Sequence, residues 1–218
     1  MTAVQFALWV VLSGQICFAA SPGWSRGQQD SDNLAPGLFL VAPRHAADRS
    51  FAETVVLLLH HDQTGTLGVV INRPTNIAIS RVFGDTKPAK HINDSAYAGG
   101  PVQAEAVLAL YRSNKKIDEA APVFADVYLI STKTALDRVF SSKPTAKNFR
   151  VYLGYTGWAP GQLEHEMELE MWRVLPGDSD SVFDADPSSV WPRLIERTEM
   201  RYAGLFSDPR SKHFAASR

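Results

Sequence analysis

Thr54-Val55-Val56-Leu57-Leu58-Leu59-His60-His61-Asp62-Gln63-Thr64-Gly65-Thr66-Leu67-Gly68-Val69-Val70-Ile71-Asn72-Arg73-Pro74 carries two apolar runs separated by a polar, glycine-bearing break. Runs of β-branched and leucine residues bounded by turn residues read as strands, so the expectation is a strand over 55–59, a turn around 62–65 and a second strand over 68–72. Both runs are apolar at nearly every position, which places them in an inner part of a sheet covered on both faces. Asp62 is read as capping the turn through its carboxylate, and Pro74 as closing the second strand.

On either side the pattern is mixed. Gly37 to Ala42 reads as a first strand and 45–51 as a charged loop. Residues 78–83 read as a short helix, 107–111 and 127–130 as strands, 132–140 as a helix with Ala135, Leu136 and Val139 inward, and 149–155 as a strand. Leu163 to Met171 fits both periods: alternation with four glutamates suits a strand, while Leu163, Met167 and Met171 share a helical face. The reading favoured is a helix from Gly161 to about Glu168, then a strand through Trp172 to Leu175 and a turn at Pro176-Gly177-Asp178. Residues 188–200 read as a final helix with a Ser N-cap and Trp191, Leu194 and Ile195 inward. Strands and helices do not alternate regularly, which argues against a doubly wound sheet.

The chain has 218 residues, 45% of them apolar and 21% charged, as in an ordinary globular domain. That length suits one domain, expected over 34–200, with a tail at 201–218. A formal charge of −1 gives no general attraction to phosphate backbones, and no basic run exceeds Lys115-Lys116. The lone Cys17 lies in an apolar N-terminal stretch, Phe6 to Leu12 extended to Ala20, whose length suits a signal peptide over 1–20 better than a membrane span. Small residues at Cys17 and Ala19 fit cleavage after Ala19, although no Lys or Arg precedes the run. Periplasmic or secreted location follows if the segment is cleaved. A start placed too far upstream or an uncleaved leader leaves the protein cytoplasmic. Residues 21–33 read as a disordered linker in each case.

Two further blocks share the punctuation of the first: Gly99-Gly100-Pro101-Val102-Gln103 and Gly157-Trp158-Ala159-Pro160-Gly161-Gln162-Leu163-Glu164-His165-Glu166. Together with Gly37 to Pro43 and the Gly65-x-x-Gly68-x-x-x-Asn72-x-Pro74 skeleton, this ordered succession resembles the YqgE/AlgH family from about Leu34 to Arg197. The resemblance implies an α+β fold: a bifurcated, mostly antiparallel sheet, partly closed as a small barrel and surrounded by helices. It implies little chemistry, since the family is largely uncharacterised and carries the label of a transcriptional regulator. The chain departs from the family at Asp48-Arg49-Ser50-Phe51-Ala52-Glu53, where a proline and an arginine are usual, at Ala106-Val107, where an Arg-Gly pair is usual, and at Leu59, where many members have cysteine.

Among groups that carry chemistry, His60, His61 and Asp62 are metal-capable neighbours. Strand alternation lets only His60 and Asp62 share an ion, and a metal-assisted hydrolase built on these three residues is one alternative. No Gly-x-Ser-x-Gly elbow is present, and the glycine loops do not open into a helix with a lysine, so neither an activated serine nor a phosphate cradle is indicated. No catalytic residue, cofactor or resident metal is assigned. Asn72, Arg73, Gln103, Tyr155, Trp158 and Gln162 are polar or aromatic groups beside turns, where binding groups are often mounted. The leading expectation is a non-enzymatic domain that binds a protein partner or small molecule where the three blocks meet. A regulator acting on DNA is the other alternative, and the balanced charge and lack of a recognition-helix pattern weigh against it.

Overall fold

The computed structural model describes residues 33–46, 48–84, 92 and 94–207. The expected signal peptide, the linker as far as residue 32 and the tail beyond residue 207 lie outside the described residues. Ten strands occur among them: β1 Leu38–Val41, β2 Val55–Asp62, β3 Gly65–Val70, β4 Pro74–Ala78, β5 Ser95–Ala98, β6 Val102–Arg112, β7 Ala121–Phe124, β8 Val127–Ile130, β9 Phe149–Trp158 and β10 Arg173–Pro176. Five α-helices accompany them: α1 Ile79–Val82, α2 Lys133–Ser141, α3 Gln162–Glu168, α4 Ser179–Val182 and α5 Pro187–Ser207.

All ten strands belong to one sheet, in the order β10-β1-β2-β3-β9-β6-β8-β7, with β4 and β5 as a side branch. The fork lies on β9. Along one edge β9 pairs with β6; along the other its end, Thr156–Trp158, pairs with β3, while Tyr152 and Leu153 pair in parallel with β5. Every other pairing is antiparallel, so the sheet is bifurcated and mostly antiparallel as expected. Gly99 and Gly100 occupy the crotch of the fork. A Cβ on Gly99 would come within 2.3 Å of the Gly154 carbonyl oxygen and one on Gly100 within 2.3 Å of the Tyr155 carbonyl, so only glycine lets the backbones approach this closely.

The sheet curls into a half-barrel with one core inside and two outside. Alternation along β1 and β2 sends Phe39, Val41, Val55, Leu57 and Leu59 inward to meet Tyr152, Phe183, Trp191 and Leu194. The opposite faces of the same strands, Leu40, Val56 and Leu58, pack under α3 against Leu163 and Met167. A third cluster lies where α1 and α2 cover β6, β8 and β9. The all-apolar runs are thus buried on both faces, and each fully buried Leu, Val or Phe contributes roughly 1.5–3 kcal/mol relative to exposure. Side chains draw the barrel together: Arg112 on β6 bonds Asp126 and Asp180 at 2.7 and 2.8 Å, and Asp126 in turn accepts the Ser179 hydroxyl of α4.

Several boundaries differ from expectation for identifiable reasons. Pro74 opens β4 instead of closing its predecessor. It can do so because, among the described residues, β4 pairs only with β5, and the first residue of such an edge strand needs no ladder N–H. The second strand runs over 65–70 and leaves Asn72 outside it. β6 begins at Val102 instead of residue 107, its register broken between those residues. The Leu163–Met171 stretch resolves as favoured, with α3 ending before Glu170 turns left-handed at φ 56°. The cap of α5 is Asp186, whose Oδ1 accepts the Ser188 N–H at 3.1 Å, with Pro187 as the first helical residue; the helix extends past Met200 to Ser207. Trp191, Leu194 and Ile195 face inward as read. Among the described residues, no helix is long and apolar enough to cross a membrane.

Candidate functional site

A cleft of roughly 200 Å³ opens where the end of β9, the start of β6, α3 and the loop before β2 meet. Its floor follows from the pairing of β3 with β9. Gly68 lies opposite Thr156, and a Cβ there would come within 2.6 Å of the Val56 side chain and 3.1 Å of the Thr156 hydroxyl. Trp158, two residues on, therefore shares the Thr156 face and turns its indole over the outer core.

The wall is built around Glu166. Gly161, left-handed at φ 76°, starts α3, and Gln162 and Glu166 fall one helical turn apart. Glu166 Oε2 accepts the indole N–H of Trp158 and that of Trp172, both at 2.8 Å, and Oε1 accepts the Gln162 amide at 3.0 Å. Gln162 also takes the Ala159 N–H at 3.1 Å, which ties the helix to the end of β9. The two indoles meet edge to face at 6.2 Å, and Phe51 meets Trp172 the same way at 5.5 Å. One carboxylate thus organises an aromatic wall.

The facing wall is a loop held from behind. Arg73 donates to the carbonyls of Ser50 at 2.6 Å and Ala52 at 3.0 Å. Partial burial lowers its pKa from the ordinary arginine value. Asn72 donates to the Glu53 carbonyl and accepts from Val55 N–H, each at 2.9 Å. These bonds fix the turn that presents Phe51 and Asp48 to the cleft. Hydrogen bonds from the Ser50 hydroxyl and N–H hold the Asp48 carboxyl below its usual range. Asp48 and Glu166 are the ionisable side chains among the described lining residues, and no base lines the cleft with them.

The six residues singled out in the sequence divide between wall, support and outside. Trp158 and Gln162 line the cleft. Tyr155 lines a shallower groove alongside it, which shares Val102, Gly157 and Trp158 with the cleft and extends to His60. Asn72 and Arg73 act from behind the loop. Gln103 is exposed at φ 45°, in the register break after Val102, and lies outside both concavities. Glu166, Trp172, Phe51, Asp48 and Thr156 were not singled out. The Gln162-x-x-x-Glu166 spacing on a helix was the available signal for Glu166, whereas nothing local brings Phe51 or Trp172 to Trp158.

The His-His-Asp cluster sits at the β2–β3 hairpin. Asp62 accepts both the N–H and the hydroxyl of Thr64, at 2.7 and 2.6 Å, and these bonds lower its pKa. It therefore caps the turn as read. His60 Nε2 lies 2.9 Å from Asp62, both largely exposed, while His61 turns to the Thr66 hydroxyl at 2.8 Å and to Glu164 at 3.7 Å. The two histidines thus point to different partners. Among the described residues no three His, Cys, Asp or Glu side chains are grouped so as to hold a metal ion.

A family profile described as AlgH-like matches residues 39–203. A UPF0301 protein of Anaeromyxobacter dehalogenans is 34% identical over 182 residues, covering 79% of this chain and 91% of its own. One from Rhodococcus erythropolis is 30% identical over 181 residues, covering 81% and 89%. Among solved structures, a protein of Corynebacterium diphtheriae superimposes with a TM-score of 0.64 at 25% identity, covering 76% of this chain and 87% of that one. The solution structure of the AlgH protein from Pseudomonas aeruginosa gives 0.57 at 27% identity, covering 84% and 94%.

Proposed function

The chain belongs to the AlgH-like family, whose matched relatives are named without a biochemical activity, and from that premise we propose that it is a non-enzymatic binding domain whose ligand occupies the Trp158–Trp172 cleft. The observation that carries this reading is convergence. The second and third sequence blocks, far apart in the chain, meet at this one concavity and the first braces it: Pro101 and Val102 form its lip, Thr156, Gly157, Trp158, Gln162 and Glu166 its floor and wall, and Asn72 and Arg73 hold the loop of the facing wall. A largely apolar cleft with a few fixed polar groups is the usual form of a small-molecule site. The proposal is tested by recording the indole N–H resonances of labelled protein against a library of small neutral, anionic and cationic compounds. Saturable shifts at Trp158 and Trp172 are expected with at least one class; silence at both indoles across the library removes the reading.

Export through residues 1–20 is part of the same proposal, supported by the apolar run and the small residues before Ser21. N-terminal sequencing of the native protein is expected to begin near Ala20; retention of Met1 in a cytoplasmic fraction sinks it. The regulator label attached to the family draws no support from a formal charge of −1.

A further inference from the structure

We propose that the ligand of this cleft carries a primary ammonium group on a short apolar stem, with the ammonium seated between Glu166 and Thr156. The inference rests on the binding reading above and specifies its chemistry. A carboxylate has about four acceptor positions, two on each oxygen. The indoles of Trp158 and Trp172 occupy those of Oε2, and Gln162 occupies one on Oε1. One position is left, on Oε1. A guanidinium in its bidentate mode binds through both oxygens at once, and Oε2 has no position left for it. An ammonium uses one acceptor per N–H and fits what remains.

Thr156 supplies the next acceptor. It is 2% exposed and lines the cleft, yet its hydroxyl has no hydrogen-bond partner among the described residues. Buried hydroxyls are ordinarily paired, and an unpaired one on a residue that lines a cleft is open to a donor or acceptor brought by a ligand. Asp48 on the opposite wall adds a second negative charge, so an anionic ligand meets two carboxylates and, among the described residues, no lining base. The rings of Phe51, Trp158 and Trp172 suit an alkyl stem, and the indole faces attract a cation further. A quaternary ammonium lacks the N–H groups that Glu166 and Thr156 would accept.

The experiment titrates the protein with n-pentylammonium, followed at the two indole N–H resonances, beside n-pentanol, n-pentylguanidinium, n-pentyltrimethylammonium and pentanoate. Pentylammonium is expected to bind at least about tenfold tighter than each comparator, the scale of one charge-assisted hydrogen bond. Nα-acetyl-lysine amide separates the source: equal affinity assigns a protein lysine, weaker affinity a free amine, and both uphold the ammonium. Glu166→Gln is expected to weaken pentylammonium about tenfold. Thr156→Val removes an orphaned hydroxyl and is expected to raise Tm while weakening the ammonium at least about threefold, which keeps the test open if Glu166→Gln fails to fold. Alcohol, guanidinium or carboxylate binding in the cleft as tightly as the ammonium overturns this inference and leaves the binding reading standing. Unchanged affinity in both variants also overturns it, and silence from every compound at both indoles removes both.

Discussion

Glu166 accepts from two nearly buried indoles and an amide, so truncating it strands two N–H donors in a packed setting. Glu166→Ala is expected to cost about 2–4 kcal/mol in urea unfolding, and Glu166→Gln, which keeps one acceptor oxygen, about 1 kcal/mol. Equal losses in the two variants would show that the charge and second oxygen, which glutamine lacks, set its contribution, since glutamine keeps the side chain's volume. Its partners illustrate what could be read in advance. Gln162 and Glu166 are neighbours by helical spacing and lie in one block. Trp172 and Phe51 reach Trp158 only through folding, since no local period relates positions 51, 158 and 172. Thr156 was invisible for another reason: a threonine within a strand is ordinary, and only the burial of its hydroxyl without a partner distinguishes it.

At the scale of elements, caps explain why helices begin where they do. Asp186 takes the N–H and hydroxyl of Ser188, at 3.1 and 2.6 Å, and Pro187 supplies a helical φ without an N–H to satisfy. Asp186→Ala is expected to destabilise by about 1 kcal/mol, whereas Ser188→Ala costs less than half of that. Chemical denaturation of the two variants decides between Asp186 and the serine first expected to cap. Periodicity located the long strands and the helices α2, α3 and α5. It missed β4 and β7 because each carries a proline and little continuous apolar sequence, and edge strands need neither a full ladder nor two buried faces. It also set the start of β6 too late, since the exposed, irregular residues after Val102 interrupt the apolar pattern.

For the whole molecule, the half-barrel is drawn together by Asp126. Partial burial by itself would raise the Asp126 pKa, but the Ser179 hydroxyl and the Arg112 guanidinium outweigh burial and leave it below the ordinary carboxylate value. A depressed carboxylate contributes stability that is present above its unfolded pKa and lost as pH falls through the folded value. Asp126→Asn is therefore expected to lower stability at pH 7 by about 2 kcal/mol and to flatten the acid limb below about pH 4. An unchanged acid limb, measured by Tm against pH, would place the acid sensitivity elsewhere.

The residue pattern alone determined that two strands with covered faces form the heart of a domain of mixed strands and helices, and that the turn between them is capped by Asp62. These are local properties, written in spacing, turn chemistry and burial on alternate positions. Only the tertiary structure decided what the blocks build. β9 forks between β3 and β5, and that fork brings residues of the second and third blocks into one cleft, which the first block braces. It also turned Asn72 and Arg73 from candidate contacts into braces, because their hydrogen bonds go to the loop behind the wall. Contacts between positions 51, 156, 166 and 172 depend on strand register and the curl of the sheet, which are set by pairing across the whole chain and by no single segment of it.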